Sequence, residues 1–459
     1  MIKSFFTFLL MLGFGSLASE KPNIIYILAD DLGIGDLGTY GQKITKTPHL
    51  DQMAAEGMKF HQHYSGSTVC APSRSVLLTG KTSGYAQIRA NSPNGKYEFG
   101  QTPLAAGTQS IPTMLKDAGY ATGVFGKWGL GYTHNSGNPA LHGVDEFYGF
   151  KCQKHAHHYY PDFLWKNNEK VMLNKKVYAH DIIHREAEAF VRKHAENKQP
   201  FFLYLAEIIP HADLDVPADS MAEYEGKIEE TKTFKGNRFY YPQDKPRTAF
   251  AGMVTRMDKD IGVLMNLLKE LGIDDNTIVM FSSDNGCHIE GGADPEFFGS
   301  NGAFTGHKRD FYEGGIRTPF IVRWPGKIKA GSESNHISAF WDIMPTFAEI
   351  SGAQTPADIN GISMTPTLFS QGSQPAHRSL YWEIDLHESK RALRMGDWKL
   401  IKLFINNPDK KKTFLFNLKK DPAEQNNLAT QYPEIVQKLE KEMDASRVPS
   451  KEFPLFSKK

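Results

Sequence analysis

Cysteine is scarce in this chain: 459 residues contain three, Cys70, Cys152 and Cys287. The odd count leaves at least one thiol unpaired, which excludes a fold stapled throughout by disulfides. Neither sign of charge is in excess, with 53 Lys and Arg against 52 Asp and Glu. No basic surplus therefore draws the protein to nucleic acid regardless of base sequence. The apolar run near the start, Phe5 to Leu12, is too short to span a bilayer. Internal repeats and low-complexity tracts are absent, which excludes a repeat array.

What the chain has is a large apolar store. Hydrophobic residues make up 40% and aromatic ones 12%, enough for a sizeable core and two or three packing units. Lys3, the apolar run behind it and the small-x-small end Ser16-Leu17-Ala18 read as an export signal over residues 1–18. Cleavage near Ala18 delivers the protein to the periplasm or the exterior. No cysteine follows the site to carry a lipid, so no membrane anchor is expected.

Apolar strand-like runs then alternate with amphipathic stretches, which predicts an α/β domain on a mostly parallel sheet. Strands are expected at Asn23–Ala29, Tyr120–Gly126, Phe201–Ala206 and Thr277–Ser282; Thr113–Gly119 reads as the end of a helix, and further helices are expected over Asp181–His194 and Ala251–Leu271. Residues 209–249, rich in Pro, Asp, Glu and Tyr, read as a long surface loop. The catalytic α/β domain is assigned to 22–360. After a Gly-, Gln-, Ser- and Pro-rich passage at 352–376, a smaller C-terminal α+β subdomain is assigned to 377–459. Its short antiparallel strands at Arg378–Ile384, Arg391–Arg394, Asp397–Phe404 and Thr413–Asn417 precede a helix at Pro433–Ala445.

Ligands of open α/β sheets bind beyond the carboxyl ends of the strands. The residues waiting there are Asp30-Asp31, Lys127, His211 and Asp284-Asn285. Three carboxylates and an amide oxygen suit a hard divalent cation, Ca²⁺ or Mg²⁺, better than zinc. An isolated Asp-Asp or Asp-Asn-Gly is ordinarily a turn; it is their pairing at two strand ends that favours the metal. Cys70-Ala71-Pro72-Ser73-Arg74 opens a helical stretch closed by Gly80, which puts Cys70 at a helix N-terminus with Arg74 one turn on. That setting favours an anion, whereas a lone cysteine is more often buried packing.

Cys70-x-Pro-Ser-Arg with Leu78-Thr79-Gly80 resembles the signature of the type I sulfatases. The likeness extends to the Asn23–Gly33 run, Gly126-Lys127-Trp128, Ser283-Asp284-Asn285-Gly286 and Lys308 through Arg317. The resemblance implies an alkaline-phosphatase-like fold, a mixed, mostly parallel sheet flanked by helices. It implies a cysteine oxidised to formylglycine by a maturation enzyme, and one calcium ion held by Asp30, Asp31, the modified Cys70, Asp284 and Asn285. Arg74 is then expected to stabilise the hydrated aldehyde, Lys127 and Lys308 to hold sulfate oxygens, and His211 to protonate the leaving alkoxide. The implied substrate is a sulfated carbohydrate.

One position departs from the pattern. Relatives carry histidine two residues after the lysine, in contact with the modified residue, where this chain has Gly129. His155, His157, His158 and His288 are candidates for filling that gap or meeting substrate. Trp165, Tyr159 and Tyr160 offer rings for stacking on a sugar, although aromatic clusters are more often packing. Two other readings stand beside the sulfatase: a phosphate or phosphonate monoesterase of the same superfamily, and a non-catalytic, calcium-stabilised glycan-binding protein.

Overall fold

The structure, a computed structural model, describes residues 21–91, 102–386 and 388–456; the export signal lies outside the described residues. Its centre is a ten-stranded sheet in the order Ser332–Ser334, Met58–Phe60, Phe320–Arg323, Thr277–Ser283, Asn23–Ala29, Phe201–Ala206, Ala121–Lys127, Glu146–Phe150, Phe163–Lys166 and Glu169–Met172. The five central strands, from Thr277–Ser283 to Glu146–Phe150, run parallel. Antiparallel pairings begin on either side of them.

The central strands are mostly apolar because both faces are covered. In Asn23–Ala29, residues Ile24, Tyr26 and Leu28 enter one core, while Ile25, Ile27 and Ala29 enter the other. Helices Ala179–Glu196 and Pro246–Glu270 contribute Ile183, Phe190, Val254 and Ile261 to the second core. The first core holds the helices Cys70–Thr79, Ile111–Asp117 and Ile343–Ser351.

A four-stranded antiparallel sheet follows in simple order: Leu380–Leu386, Glu388–Met395, Trp398–Leu403 and Lys412–Asn417. Helix Pro433–Ala445 packs on it through Leu439 and Met443. Trp382, Ala392 and Ile401 from its strands join the main core.

The expected strands of the large sheet lie within a residue of those observed, whereas in the C-terminal sheet Arg378–Ile384 shifts to Leu380–Leu386 and Arg391–Arg394 lengthens to Glu388–Met395. The long helix starts earlier than its apolar stripe, at Pro246, because proline at the first helical position needs no amide partner. The reading of residues 209–249 as a surface loop is corrected. Ile209, His211, Ala212 and Asp213 are buried, Ala218–Ala222 is a short helix, and the stretch runs into the long helix at Pro246. The exposed residues of the stretch lie mainly between 225 and 245, so the surface reading holds for its second half.

Candidate active site

The carboxyl ends of the central strands converge as their register dictates. Asp284 continues the ladder, its N–H donating to Ala29 O at 3.0 Å. Asp31, in a left-handed turn at φ 66°, donates its N–H to Asp284 Oδ1 at 3.1 Å. The neighbouring strand reaches the same edge because Gly126 adopts φ +110°, and a Cβ there would lie 1.8 Å from Ala206 O. Only glycine permits that approach, and it delivers Lys127.

Helix Cys70–Thr79 points its N-terminus at this edge, with every residue buried. Asn91 Oδ1 accepts from the Ala71 N–H at 2.9 Å, satisfying one of the free amides of the first turn. Cys70 Sγ lies 3.2 Å from Asp30 Oδ1 and 3.9 Å from Asp31 Oδ1.

Each carboxylate meets a cation. Lys127 Nζ donates to Asp30 Oδ2 at 2.6 Å, and Lys308 Nζ to Asp31 Oδ2 at 2.6 Å. Arg74 donates through Nε and Nη2 to Asp284 Oδ2 at 3.0 and 2.9 Å. All six side chains are buried. Burial raises Asp284 to about 7, with Asp30 adding to the push. Burial would raise Asp30 as well, but Lys127 and the other charged groups around it, Arg74 and Lys308 among them, together outweigh it and hold Asp30 well below the usual range. Asn285 Nδ2 donates to Asp31 Oδ1 at 2.8 Å, whereas its Oδ1 is buried and finds no partner among the described residues.

That orphaned oxygen, beside three crowded carboxylates, fits a hard divalent cation such as calcium. A cation there would complete Asn285 and take up negative charge that the two lysines now neutralise.

The helix end does not make the sulfur itself anionic. Burial, then the nearby Asp284 and Asp30, push the Cys70 thiol well above its ordinary range, and Arg74 is turned to Asp284. Unmodified Cys70 is a neutral thiol and a poor nucleophile.

His211 stands at the rim. Its Nδ1 lies on Ala212 O, and its Nε2 is 3.1 Å from Lys308 Nζ and 3.4 Å from Asp31 Oδ2. Burial, then Lys308, hold the ring well below its ordinary range, so it is neutral here. Of the four candidate histidines, two join it. His157 stacks on His211 with centroids 5.1 Å apart, and His288 stacks at 5.9 Å while its Nε2 donates to Pro210 O at 3.0 Å. His158 instead pairs with Asp213 at 2.6 Å and stacks on Tyr241. His155 packs edge-on against Phe150 and beside Phe163. Tyr159 and Trp165 are buried packing rather than stacking platforms. His155, His157 and His158, with Lys154, Arg238 and Phe239, line a cavity of about 360 Å³ beside the rim.

Glu290 escaped the sequence reading. It accepts from Lys308 Nζ at 3.2 Å and pairs with Arg309, which fixes Lys308 between two carboxylates. It belongs to no strand end and carries no motif of its own.

The sulfatase family model matches residues 22–353, and a second, described as N-sulphoglucosamine sulphohydrolase, C-terminal, matches residues 299–449. Human N-acetylgalactosamine-6-sulfatase is 33% identical over 374 residues, covering 76% of this chain and 66% of that protein. The chain thus spans just under two thirds of the length of that mammalian relative. N-acetylgalactosamine-6-O-sulfatase of Bacteroides thetaiotaomicron is 30% identical, with 92% of each chain covered. Among solved structures, Ps i-CgsB in complex with k-i-k-neocarrahexaose superposes with a TM-score of 0.79 at 30% identity, covering 93% of this chain and 92% of that one. Match, fold and the strand-end constellation agree, and the chain belongs to the sulfatase family.

Proposed function

We propose that this protein hydrolyses sulfate esters on carbohydrate, using a nucleophile made from Cys70. The observation that carries the reading is the convergence of Arg74, Lys127 and Lys308 with Asp30, Asp31, Asp284 and Asn285 around one buried residue at a helix end. Three fixed cations beside a cation-binding carboxylate cluster describe a cradle for a tetrahedral oxyanion.

Formylglycine at residue 70, made by a maturation enzyme, supplies an oxygen nucleophile where the thiol is neutral, and calcium supplies charge stabilisation. The protein's own residues do the rest. Lys127 and Lys308 hold the sulfate oxygens, and Arg74 fixes Asp284 and the floor beneath residue 70. His211 faces the leaving oxygen through Nε2. An anionic ester between the two lysines offsets the cations that depress the ring, so its affinity for a proton rises as substrate enters. It then donates that proton to the departing alkoxide.

The relatives named for N-acetylgalactosamine 6-sulfate, and the neighbour holding a carrageenan oligosaccharide, favour a sulfated hexose or hexosamine as substrate. The cavity beside His157 offers Lys154 and Arg238 to further anionic units. Among the described residues no helix is long and apolar enough to cross a membrane. With the signal over residues 1–18, we place the protein outside the cytoplasm.

The test compares matured protein on sugar sulfates, p-nitrophenyl sulfate, p-nitrophenyl phosphate and a phosphonate monoester. The expected result is sulfate release far above the others, lost in Cys70→Ala. Preference for the phosphorus esters would move the protein to the neighbouring hydrolase class. An unmodified thiol and no turnover in the native host would make it a glycan-binding protein.

A further inference from the structure

The family's missing histidine leaves a place that another residue has filled. Gly129 adopts φ +72°, and a Cβ built on it would lie 2.1 Å from Nε2 of Gln153 and 3.9 Å from Cδ of Arg74. A side chain at residue 129 would therefore begin where the Gln153 amide now sits. The two loops are joined by the backbone, the Gly129 N–H donating to Lys151 O at 3.2 Å. They continue adjacent parallel strands in which Lys127 pairs with Phe150.

Gln153 Nε2 is buried and finds no hydrogen-bond partner among the described residues. Buried amide donors are rarely left unpaired, because desolvation is then uncompensated. Beside Arg74, an unpaired donor is what an incoming oxyanion would satisfy.

We propose that the side-chain amide of Gln153 replaces the absent histidine as a hydrogen-bond donor to an oxygen of the sulfate group held at residue 70. The proposal rests on the sulfatase reading. An amide neither gains nor loses a proton over the working range, unlike an imidazole, which titrates near pH 6.5. The residue therefore binds and stabilises charge but takes no proton, and acid–base work falls to His211 alone.

The test measures turnover, inorganic-sulfate binding and thermal unfolding in wild type, Gln153→Ala and Gln153→Glu, with the aldehyde content of each determined by mass. Gln153→Ala is expected to lose about 100-fold in kcat, the usual scale for one donor to a developing oxyanion. It should also bind inorganic sulfate more weakly and unfold no earlier than wild type. Gln153→Glu is expected to lose more, because a carboxylate repels the ester. Wild-type kcat and sulfate affinity in Gln153→Ala would overturn the proposal. So would a loss of activity that merely follows a drop in unfolding temperature. Sulfate binding reads the contact without turnover, so a wild type that bound sulfate but hydrolysed no sulfate ester would count against the sulfatase reading and leave the Gln153 contact decided by its own measurement.

Discussion

At the scale of single residues, the site is a balance of three carboxylates and three cations in a space closed to water. Asp284, raised to about 7, and the unpartnered Asn285 Oδ1 are the two features that the proposed calcium ion would answer. Removing divalent metal with a chelator is therefore expected to lower the unfolding temperature and abolish turnover, and calcium should restore both. An unfolding temperature indifferent to chelator would contradict the metal assignment. The acid role proposed for His211 is separable, since only a poor leaving group needs a proton. His211→Ala is expected to slow hydrolysis of a sugar sulfate by roughly 10²- to 10⁴-fold while p-nitrophenyl sulfate, whose phenolate leaves unaided, loses far less. Equal losses on both substrates would argue against an acid role. Asp30, Asp31, Lys127, His211, Asp284 and Asn285 were legible in sequence because each follows an apolar run, and Arg74 and Lys308 because they sit in segments that resemble the family's. Glu290 and Gln153 were not, since they come from loops whose place depends on how neighbouring strands are ordered.

At the scale of elements, helix Ala179–Glu196 carries a buried network unrelated to any motif. His180 Nδ1 lies 3.1 Å from Glu207 Oε2 and its Nε2 2.9 Å from Asp260 Oδ2, while His184 Nε2 lies 2.7 Å from Glu207 Oε1. Burial alone would lower His180, but Glu207 and Asp260 outweigh it and raise the ring to about 10. The folded chain thus keeps a proton that an ordinary imidazole gives up near pH 6.5. The stabilisation is complete below about 6.5 and is lost as pH rises towards about 10. Unfolding temperature should accordingly fall between those limits in wild type and follow a flatter course in His180→Gln. Parallel curves would show that the network does not hold the proton. The helical period announced the element, yet His180 and His184 read as ordinary inward positions, because Glu207 and Asp260 come from other parts of the chain.

At the scale of the molecule, the C-terminal sheet is tied to the catalytic body by buried charge as well as by Trp382 and its apolar neighbours. Lys399 Nζ lies 2.8 Å from Glu313 Oε1 and 3.0 Å from Glu424 Oε1, with both pairs wholly buried. Glu313 also accepts from Tyr64 Oη at 2.6 Å and Arg317 Nη1 at 3.1 Å. Lys399→Met would leave the buried Glu424 without its cation and Glu313 with Arg317 as its remaining ion pair, and the expected cost is about 3–5 kcal/mol of stability, read in chemical denaturation; a loss below about 1 kcal/mol would mark the pair as dispensable. The order of parts along the chain was readable from apolar period and turn residues. The burial of residues 209–214 was not, because its prolines and charged residues downstream mark a loop, while His211 and Asp213 are buried by contacts with distant parts of the chain.

All three scales meet at residue 70, where a neutral, buried thiol stands in a cradle built for an oxyanion. The most direct measurement is the rate of sulfate release plotted against the fraction of protein in which mass analysis of the Cys70 peptide finds the aldehyde. The account predicts a straight line through zero. Full activity in protein carrying an unmodified Cys70 thiol, or in Cys70→Ala, would contradict it.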